Sequence, residues 1–343
     1  MSRVAVIGHF GIGLNLANGQ TIKSKIVTDA VEKKINEKAY IIDAHGGVKA
    51  IVPVALGCIK ALKNCDNIIL MLTENGLKVS VPLLSFFNKL FHKKLHYVVI
   101  GGWLPTFLES HSCLEKQLKH FDCIYVETNT MRKALERKGF TNIVVMQNCK
   151  ELSILSEDEL VVQNNEPLRI CTFSRVMKRK GIGDLVEVIK EINADKVRYE
   201  LDIYGQVDSQ EREWFESLKS EFAPEIKYGG IVPFDKSVET LKNYYALVFP
   251  TKFYTEGVPG TIIDAYAAGI PVIASRWESF DDVVDDGKTG IGYKFEDQDA
   301  LKKVLTYSAD NKAKINRMKV DCLSKSKQFT IDNAMKTLFD NLT

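Results

Sequence analysis

The chain has 343 residues, 45% of them hydrophobic and 26% charged, which is typical of a globular protein and long enough for two α/β domains. A formal net charge of +2 provides no strong field for nucleic acid, so no nucleic-acid partner is expected. The seven cysteines form no C-x-x-C pair, which argues against a zinc or disulfide framework and for a reducing compartment.

The N-terminus reads as a β-strand at Val4–Ile7 rather than a secretory signal, because the apolar run is too short and lacks a cleavage site. No run of 18 apolar residues is present, so no transmembrane helix is predicted. We therefore expect a cytoplasmic protein.

A glycine-rich segment follows this first strand. Its glycines are spaced G-x-x-G-x-G from Gly8, not G-x-G-x-x-G, and Leu14–Gly19 is typical of a continued loop. A nicotinamide-binding fingerprint is therefore a poor fit, and no cofactor is expected. Gly11, Gly13 and Gly19 instead predict a loop whose backbone approaches a ligand, while a tight turn without a ligand is the alternative.

Strand and helix patterns alternate through the first half of the chain, which predicts right-handed crossovers and a parallel sheet. Further strand-like runs are Tyr40–Ile42, Ile68–Leu72, Tyr97–Ile100, Cys123–Val126 and Ile143–Met146. Segments with helical spacing, such as Gln20–Asn36 and Met131–Lys138, lie between the strand-like runs.

Residues 83–94 combine apolar and basic side chains at helical spacing. The apolar members are Leu83, Leu84, Phe86, Phe87, Leu90 and Phe91, and the basic ones are Lys89, His92, Lys93 and Lys94. An apolar face edged with cations predicts peripheral contact with the inner face of a membrane. The alternative is a core-facing helix with a basic end.

A polar stretch at 163–166 followed by Pro167 predicts an interdomain linker. The alternation then restarts with strands at Arg169–Ser174, Glu200–Tyr204, Ile226–Tyr228, Leu247–Phe249 and Val272–Ala274. We predict an α/β chain of two doubly wound, Rossmann-like domains, 1–162 and 163–325, that face a cleft. Residues 326–343 are predicted to form a C-terminal helix, which either packs back on the N-terminal domain or closes the C-terminal domain.

The most informative segment runs from Phe249 to Ser275. Two acids, Glu256 and Asp264, flank a turn that leads into an Ala-rich helix. Free backbone N–H groups at a helix start suit a diphosphate, and glycine permits close approach. The residues of this turn and helix start are Gly257, Val258, Pro259, Gly260 and Thr261.

This segment resembles the signature of family 4 retaining glycosyltransferases, which have the fold called GT-B. The resemblance implies that Glu256 contacts donor sugar hydroxyls, that Asp264 contacts the ribose hydroxyls and that 257–261 bind the donor. Asp264 stands where the family has Glu. A buried amphipathic helix with an acidic cap is the alternative interpretation.

The first strand after the restart is followed by Arg175 and, five residues later, Lys180. At these positions the resemblance implies a pair of cations that hold the donor diphosphate, where fixed positive charge stabilises the leaving group. A solvated basic loop is the alternative. Gly205 and Ile231 fall at loop positions that the resemblance assigns to donor binding.

The resemblance also implies retention of the anomeric configuration without a metal, so no metal site is expected. The His that many members carry after the fourth strand is replaced by Gly101–Pro105. His9, His45 and His111 are the candidates to replace it.

The function implied is transfer of a hexose or N-acetylhexosamine from a nucleotide-diphosphate sugar, with UDP as the expected carrier. The expected acceptor is a glycan or lipid-linked glycan of cell-surface polysaccharide biosynthesis, such as lipopolysaccharide or capsule. Two alternatives stay open: a sugar-nucleotide epimerase of the same fold and a non-catalytic partner subunit.

Overall fold

The computed structural model describes residues 3–14 and 19–342. The chain divides into two compact units: Met1–Glu151 with Thr330–Thr343 (unit 1), and Leu152–Phe329 (unit 2). Each unit is a parallel six-stranded sheet covered by helices, which confirms the predicted Rossmann-like α/β class. The predicted ranges 1–162, 163–325 and 326–343, with their roles, stay predictions. Residues 15–18 of the predicted loop Leu14–Gly19 lie outside the described residues.

Unit 1 has the strand order β2-β1-β3-β4-β5-β6. Its strands are Val4–Gly8 (β1), Tyr40–Asp43 (β2), Asn67–Met71 (β3), Lys94–Val98 (β4), Cys123–Val126 (β5) and Ile143–Val145 (β6). Its first helices are Gly19–Ile35 (α1), Ile51–Asn64 (α2), Glu74–Phe91 (α3), Leu104–Glu109 (α4), Ser112–Leu118 (α5) and Asn129–Arg137 (α6). The central strands β1 and β3 are buried along their whole length, and apart from Asn67 their residues are apolar, as is typical of parallel sheets covered on both faces.

Unit 2 has the strand order β12-β11-β10-β7-β8-β9. Its strands are Leu168–Phe173 (β7), Tyr199–Tyr204 (β8), Ile226–Gly230 (β9), Ala246–Phe249 (β10), Val272–Ser275 (β11) and Gly290–Tyr293 (β12). Its helices are Ile182–Ile192 (α7), Arg212–Ser220 (α8), Ser237–Leu241 (α9), Gly260–Ala267 (α10), Phe280–Val283 (α11), Gln298–Asp310 (α12) and Lys312–Ser326 (α13).

The last two helices, Ile331–Ala334 (α14) and Lys336–Leu342 (α15), complete unit 1. Met335 and Leu338 are fully buried in a cluster with Val4 of β1 and Val27 of α1. The side chain of Asn67 also donates a hydrogen bond to the carbonyl of Leu342 at 3.2 Å. The C-terminus therefore covers one face of the unit 1 sheet, while α2 to α6 cover the other.

Within the described ranges, no helix is both long and apolar enough to cross a membrane.

Candidate functional site

Two loops at the carboxyl edge of the unit 2 sheet carry the predicted cations and the predicted acid. Strands β7 and β10 are hydrogen-bonded neighbours, so the loops that follow them emerge side by side. The loop after β7 holds Arg175 and Lys180, and the loop after β10 holds Glu256. Residues distant in sequence are thus brought to one edge, as the motif interpretation requires.

Lys180 and Glu256 form a direct ion pair in which Lys180 Nζ donates to Glu256 Oε1. The hydroxyl of Thr251 donates to the same oxygen at 3.0 Å. The two charged side chains are only 16% and 17% exposed, so both are held with little rotational freedom. The ammonium also lies 4.9 Å from the centre of the Phe253 ring, where the ring face attracts it.

Backbone contacts lock the two loops together. The amide of Lys252 donates to the carbonyl of Arg179 at 2.8 Å, and Lys252 Nζ pairs with Asp184 Oδ2 at 2.7 Å. Gly181 has φ +69°, and a Cβ at this position would lie 1.9 Å from the carbonyl oxygen of Pro250. Only glycine fits there, so Gly181 fixes the distance between the loop that carries Lys180 and the loop that carries Glu256.

Arg175 is placed differently from Lys180. Its side chain is 54% exposed, and its guanidinium lies 3.7 Å from Asp208 Oδ2. An ion pair with this distance and exposure contributes little to stability and holds the guanidinium loosely. Arg175 is therefore free to reorient toward an anion, whereas Lys180 is held in place.

Helix α10 begins at Gly260 with Pro259 as its N-cap residue. The first backbone N–H groups of a helix have no partner within it, and here they follow directly on the loop of Glu256. Thr261 Oγ1 is buried without a hydrogen-bond partner among the described residues. Such a hydroxyl is a candidate ligand contact, since buried polar atoms are normally bonded.

The other predicted residues of this segment are less accessible. Gly257 and Val258 are buried, and Asp264 is 5% exposed in the second turn of α10. The contact of Asp264 with a ribose stays a prediction, as do the donor contacts of 257–261.

Gly205 and Ile231 lie beside the same sheet edge, after β8 and β9. Gly205 has φ +135° and packs so closely that a Cβ would lie 1.8 Å from the carbonyl oxygen of Ser174. Its own carbonyl accepts from Tyr228 Oη at 2.8 Å. Ile231 is 66% exposed. An exposed apolar residue beside a rigid glycine turn suits contact with the flat nucleobase of a nucleotide. The predicted role of Gly205 and Ile231 in donor binding stays a prediction.

In unit 1 the glycine-rich loop is held by Asp43 at the end of β2. The carboxylate accepts from the amides of Phe10 and Ile12, each at 2.9 Å. Burial alone would raise the pKa of Asp43, but these amide hydrogen bonds outweigh it and lower the pKa. Gly11 and Gly13 have φ +58° and +82°, and Gly19 begins α1. Their role in donor binding stays a prediction.

Two of the three candidate histidines, His9 and His45, contact each other, and the third, His111, lies apart from them. His9 Nε2 and His45 Nδ1 are 2.8 Å apart, and His9 Nδ1 lies 2.9 Å from Thr21 Oγ1. Burial and the neighbouring His45 lower the pKa of His9, so this ring is neutral near pH 7. His111 instead stacks on Phe107 with 4.0 Å between ring centres.

Sequence reasoning missed several residues that build the unit 2 site: Thr251, Phe253, Asp208 and Gly181 as a spacer. Thr251 carried a usable signal, because it is a polar residue two positions after a buried strand whose carboxyl end faces the site. The cation–ring contacts of Phe253 depend on tertiary packing and left no sequence signal.

The chain is similar to several known proteins. Residues 157–321 match the family model described as Glycosyl transferases group 1. A 41.2 kDa uncharacterized protein in the cps region of Klebsiella pneumoniae is 24% identical over 311 residues, which are 85% of this chain and 84% of that protein. The alpha-monoglucosyldiacylglycerol synthase of Acholeplasma laidlawii is 31% identical over 157 residues, 45% of this chain and 38% of its own length.

Two solved structures show the fold over the whole chain. Anabaena Alr3699/HepE in complex with UDP and glucose has a TM-score of 0.75 at 12% identity, covering 100% of this chain and 99% of its own. The lipopolysaccharide outer core galactosyltransferase WaaB has a TM-score of 0.69 at 16% identity, covering 99% and 98%. Residues 157–321 therefore resemble the glycosyl transferases group 1 family, and the whole chain has the GT-B fold.

Proposed function

We propose that the chain transfers a hexose or N-acetylhexosamine from a UDP-sugar to a glycan or lipid-linked glycan acceptor during assembly of a cell-surface polysaccharide. The observation that carries this proposal is the Lys180–Glu256 pair, fixed beside the start of α10. The names of similar proteins support this proposal. The HepE complexes contain UDP, which supports a UDP-sugar donor, and one relative is encoded in a cps region, which supports a polysaccharide product. An amylovoran biosynthesis glycosyltransferase of Erwinia amylovora, 21% identical over 155 residues, adds a further polysaccharide enzyme.

The proposed division of labour follows from charge. A nucleoside diphosphate leaves with negative charge on its outer phosphate, and the ammonium of Lys180 provides a fixed positive charge for it. Arg175, loosely held by Asp208, adds a second cation once the donor is bound. The N–H groups at the start of α10 provide further donors to the phosphate oxygens.

The carboxylate of Glu256 acts on the sugar rather than on the phosphate. It accepts hydrogen bonds from Lys180 and Thr251 through Oε1, and Oε2 is the atom we assign to the donor sugar hydroxyls. The ammonium therefore orients the carboxylate as well as the diphosphate. We propose retention of configuration, with the leaving phosphate as base for the incoming hydroxyl and without a metal.

Nucleotide binding tests the proposal directly. We expect UDP to bind in isothermal titration calorimetry more tightly than UMP, because the outer phosphate meets Lys180. Lys180→Met should weaken UDP binding by roughly 10- to 100-fold, as for loss of a charged hydrogen bond. Lys178→Met is the matched control in the same loop, since Lys178 is exposed and lies near the Trp214 ring. Equal affinity for UDP in both variants would refute the assignment of Lys180.

The stereochemistry has a separate test. Proton NMR of the product formed from an α-linked UDP-sugar should show an α-glycoside, and a β-glycoside would exclude the proposed retaining mechanism. Conversion of the UDP-sugar to an isomer without any acceptor would instead identify an epimerase.

A further inference from the structure

A cavity in unit 1 lies between the N-terminal ends of α2 and α3. Its volume is about 380 Å³. Most of its wall is apolar and comprises Val48, Ala50, Ile51, Val54, Leu72 and Val79. Polar side chains line another part of it: His9, Gln20, Thr73 and Asn75. A cavity with an apolar wall and a few polar groups suits an amphiphilic molecule.

One buried polar group in this cavity has no partner. Ser80 is 1% exposed and lines the cavity. Its Oγ makes no hydrogen bond to the described residues. Since a buried hydroxyl without a partner is costly, Ser80 Oγ is a candidate contact for an oxygen of a molecule bound in the cavity.

The cavity continues onto an unusually apolar outer surface. Val48 and Ile51 line the cavity and are also 84% and 40% exposed. Farther along α2, Val52 and Leu56 are 66% and 65% exposed. We call these four residues the α2 face. Helices α2 and α3 pack against each other over one side of the sheet, and α3 adds exposed Phe86 and Leu90 to that layer.

The charge of this layer is positive. Residues 44–65 contain no Asp or Glu, and they contain Lys49, Lys60 and Lys63. Helix α3 contains Lys78 and Lys89 and a single acid, Glu74, in its first turn. Exposed apolar residues among lysines are the pattern of a surface that rests on an anionic membrane.

We infer that the cavity between α2 and α3 binds the hydrocarbon chain of a lipid-linked acceptor, drawn from an anionic membrane on which the α2 face rests. This inference rests on the proposed function and specifies its acceptor as a lipid. The apolar wall holds the chain, Ser80 meets an oxygen near its linkage, and His9 with its partner His45 meets the polar end. The cations around the layer match an anionic linkage or the surrounding lipid headgroups.

Vesicle binding tests the surface. The intact protein should cosediment with vesicles that contain phosphatidylglycerol about fivefold or more better than with pure phosphatidylcholine, as expected for one or more lysines at an anionic surface. The double variant Val52→Ser, Leu56→Ser should lose at least about tenfold of this binding. Val162→Ser is the matched control, because Val162 is 55% exposed in unit 2. Equal partitioning of the two variants would overturn the inference for this surface.

Photolabelling tests the cavity. A long-chain alkyl phosphate with a diazirine at the chain end should label peptides that contain 48–56 or 72–80, and Val79→Phe should reduce that labelling severalfold. A thermal melt of Val79→Phe checks that the fold is retained, and Ser80→Leu provides a second way to fill the cavity. Labelling confined to other peptides, or labelling unchanged by both substitutions, would overturn the inference. UDP titration of the same samples separates this outcome from failure of the proposed function, because donor binding does not involve these residues.

Discussion

At the scale of single residues, the site depends on side chains that their neighbours hold in one orientation. Lys180 is held by Glu256 and by two aromatic rings, Phe249 and Phe253. Glycine has an equally strict role at position 181, where the backbone turns left-handed against Pro250. A motif that looks like a loose basic loop in sequence is thus a rigid element in three dimensions.

Gly181→Ala should both destabilise the protein and impair donor binding. The new Cβ would meet the Pro250 oxygen at 1.9 Å, so the two loops must separate. We expect a loss in unfolding free energy larger than the roughly 1–2 kcal/mol that left-handed φ alone costs a non-glycine residue.

Gly287→Ala is the control for this substitution. Gly287 has φ +79° and open space where a Cβ would stand, so it reports the cost of φ without the clash. Urea unfolding and UDP titration of both variants measure the difference. A similar loss in the two proteins, with UDP binding intact, would show that the contact with Pro250 is unimportant.

At the scale of secondary structure, most elements were predictable, but one strand and some element boundaries were not. Apolar spacing predicts Val4–Ile7, Cys123–Val126 and Leu247–Phe249, since periodicity reports burial directly. Strand β12 was missed because Gly290–Tyr293 contains two glycines and has no apolar run. Strand β4 begins at Lys94, three residues before the prediction at Tyr97, because an exposed lysine at its first position obscured its start.

Element packing also produced a feature without a sequence signal. Lys23 of α1 and Glu127 after β5 form an ion pair with side chains 4% and 3% exposed. The residues are separated by 104 positions, so neither local pattern nor composition indicates the pair.

Removal of one member of this pair should be more harmful than removal of both. Glu127→Met leaves the Lys23 ammonium buried without its counter-charge, which typically costs about 3–5 kcal/mol, whereas well-packed apolar replacement of both partners is often nearly neutral. We therefore expect Lys23→Met combined with Glu127→Met to recover most of the lost stability in urea unfolding. Additive losses in the double variant would contradict this account.

The contact between β3, β4 and β5 should be sensitive to acid through His96. The ring is buried, with Nε2 3.0 Å from Asn67 Oδ1 and Nδ1 3.3 Å from Tyr125 Oη. Burial lowers its pKa to about 4. Between the unfolded pKa of about 6.5 and this value, only the unfolded chain takes up the proton. The contribution of His96 is therefore complete above pH 6.5 and is lost as pH falls toward 4, by up to roughly 3 kcal/mol.

His96→Gln provides the comparison for this pH effect, because Gln does not titrate. Urea unfolding from pH 7 to pH 4.5 should show a smaller decline in stability for the variant than for the parent chain. Parallel declines would mean that the pKa of His96 is the same in the folded and the unfolded chain.

At the scale of the whole molecule, the chain consists of two α/β units in which chemistry lies at strand ends. The sequence segment 249–275 indicates the proposed donor site because its turn, helix start and acids are local features. The cavity between α2 and α3 was not predicted, since it is formed by residues from four separate segments. In the predicted membrane segment 83–94, Phe86 and Leu90 are exposed, whereas Leu84 is buried in the hydrophobic core.

The central claim is that Glu256 acts on the donor sugar from a site that Lys180 organises. The most direct measurement is the rate of UDP release from a UDP-sugar by Glu256→Gln, together with its UDP affinity. The account predicts a rate lowered by roughly 100-fold, with UDP affinity within about threefold of the parent and an unchanged circular dichroism spectrum. A folded Glu256→Gln variant that releases UDP at the parental rate would contradict it.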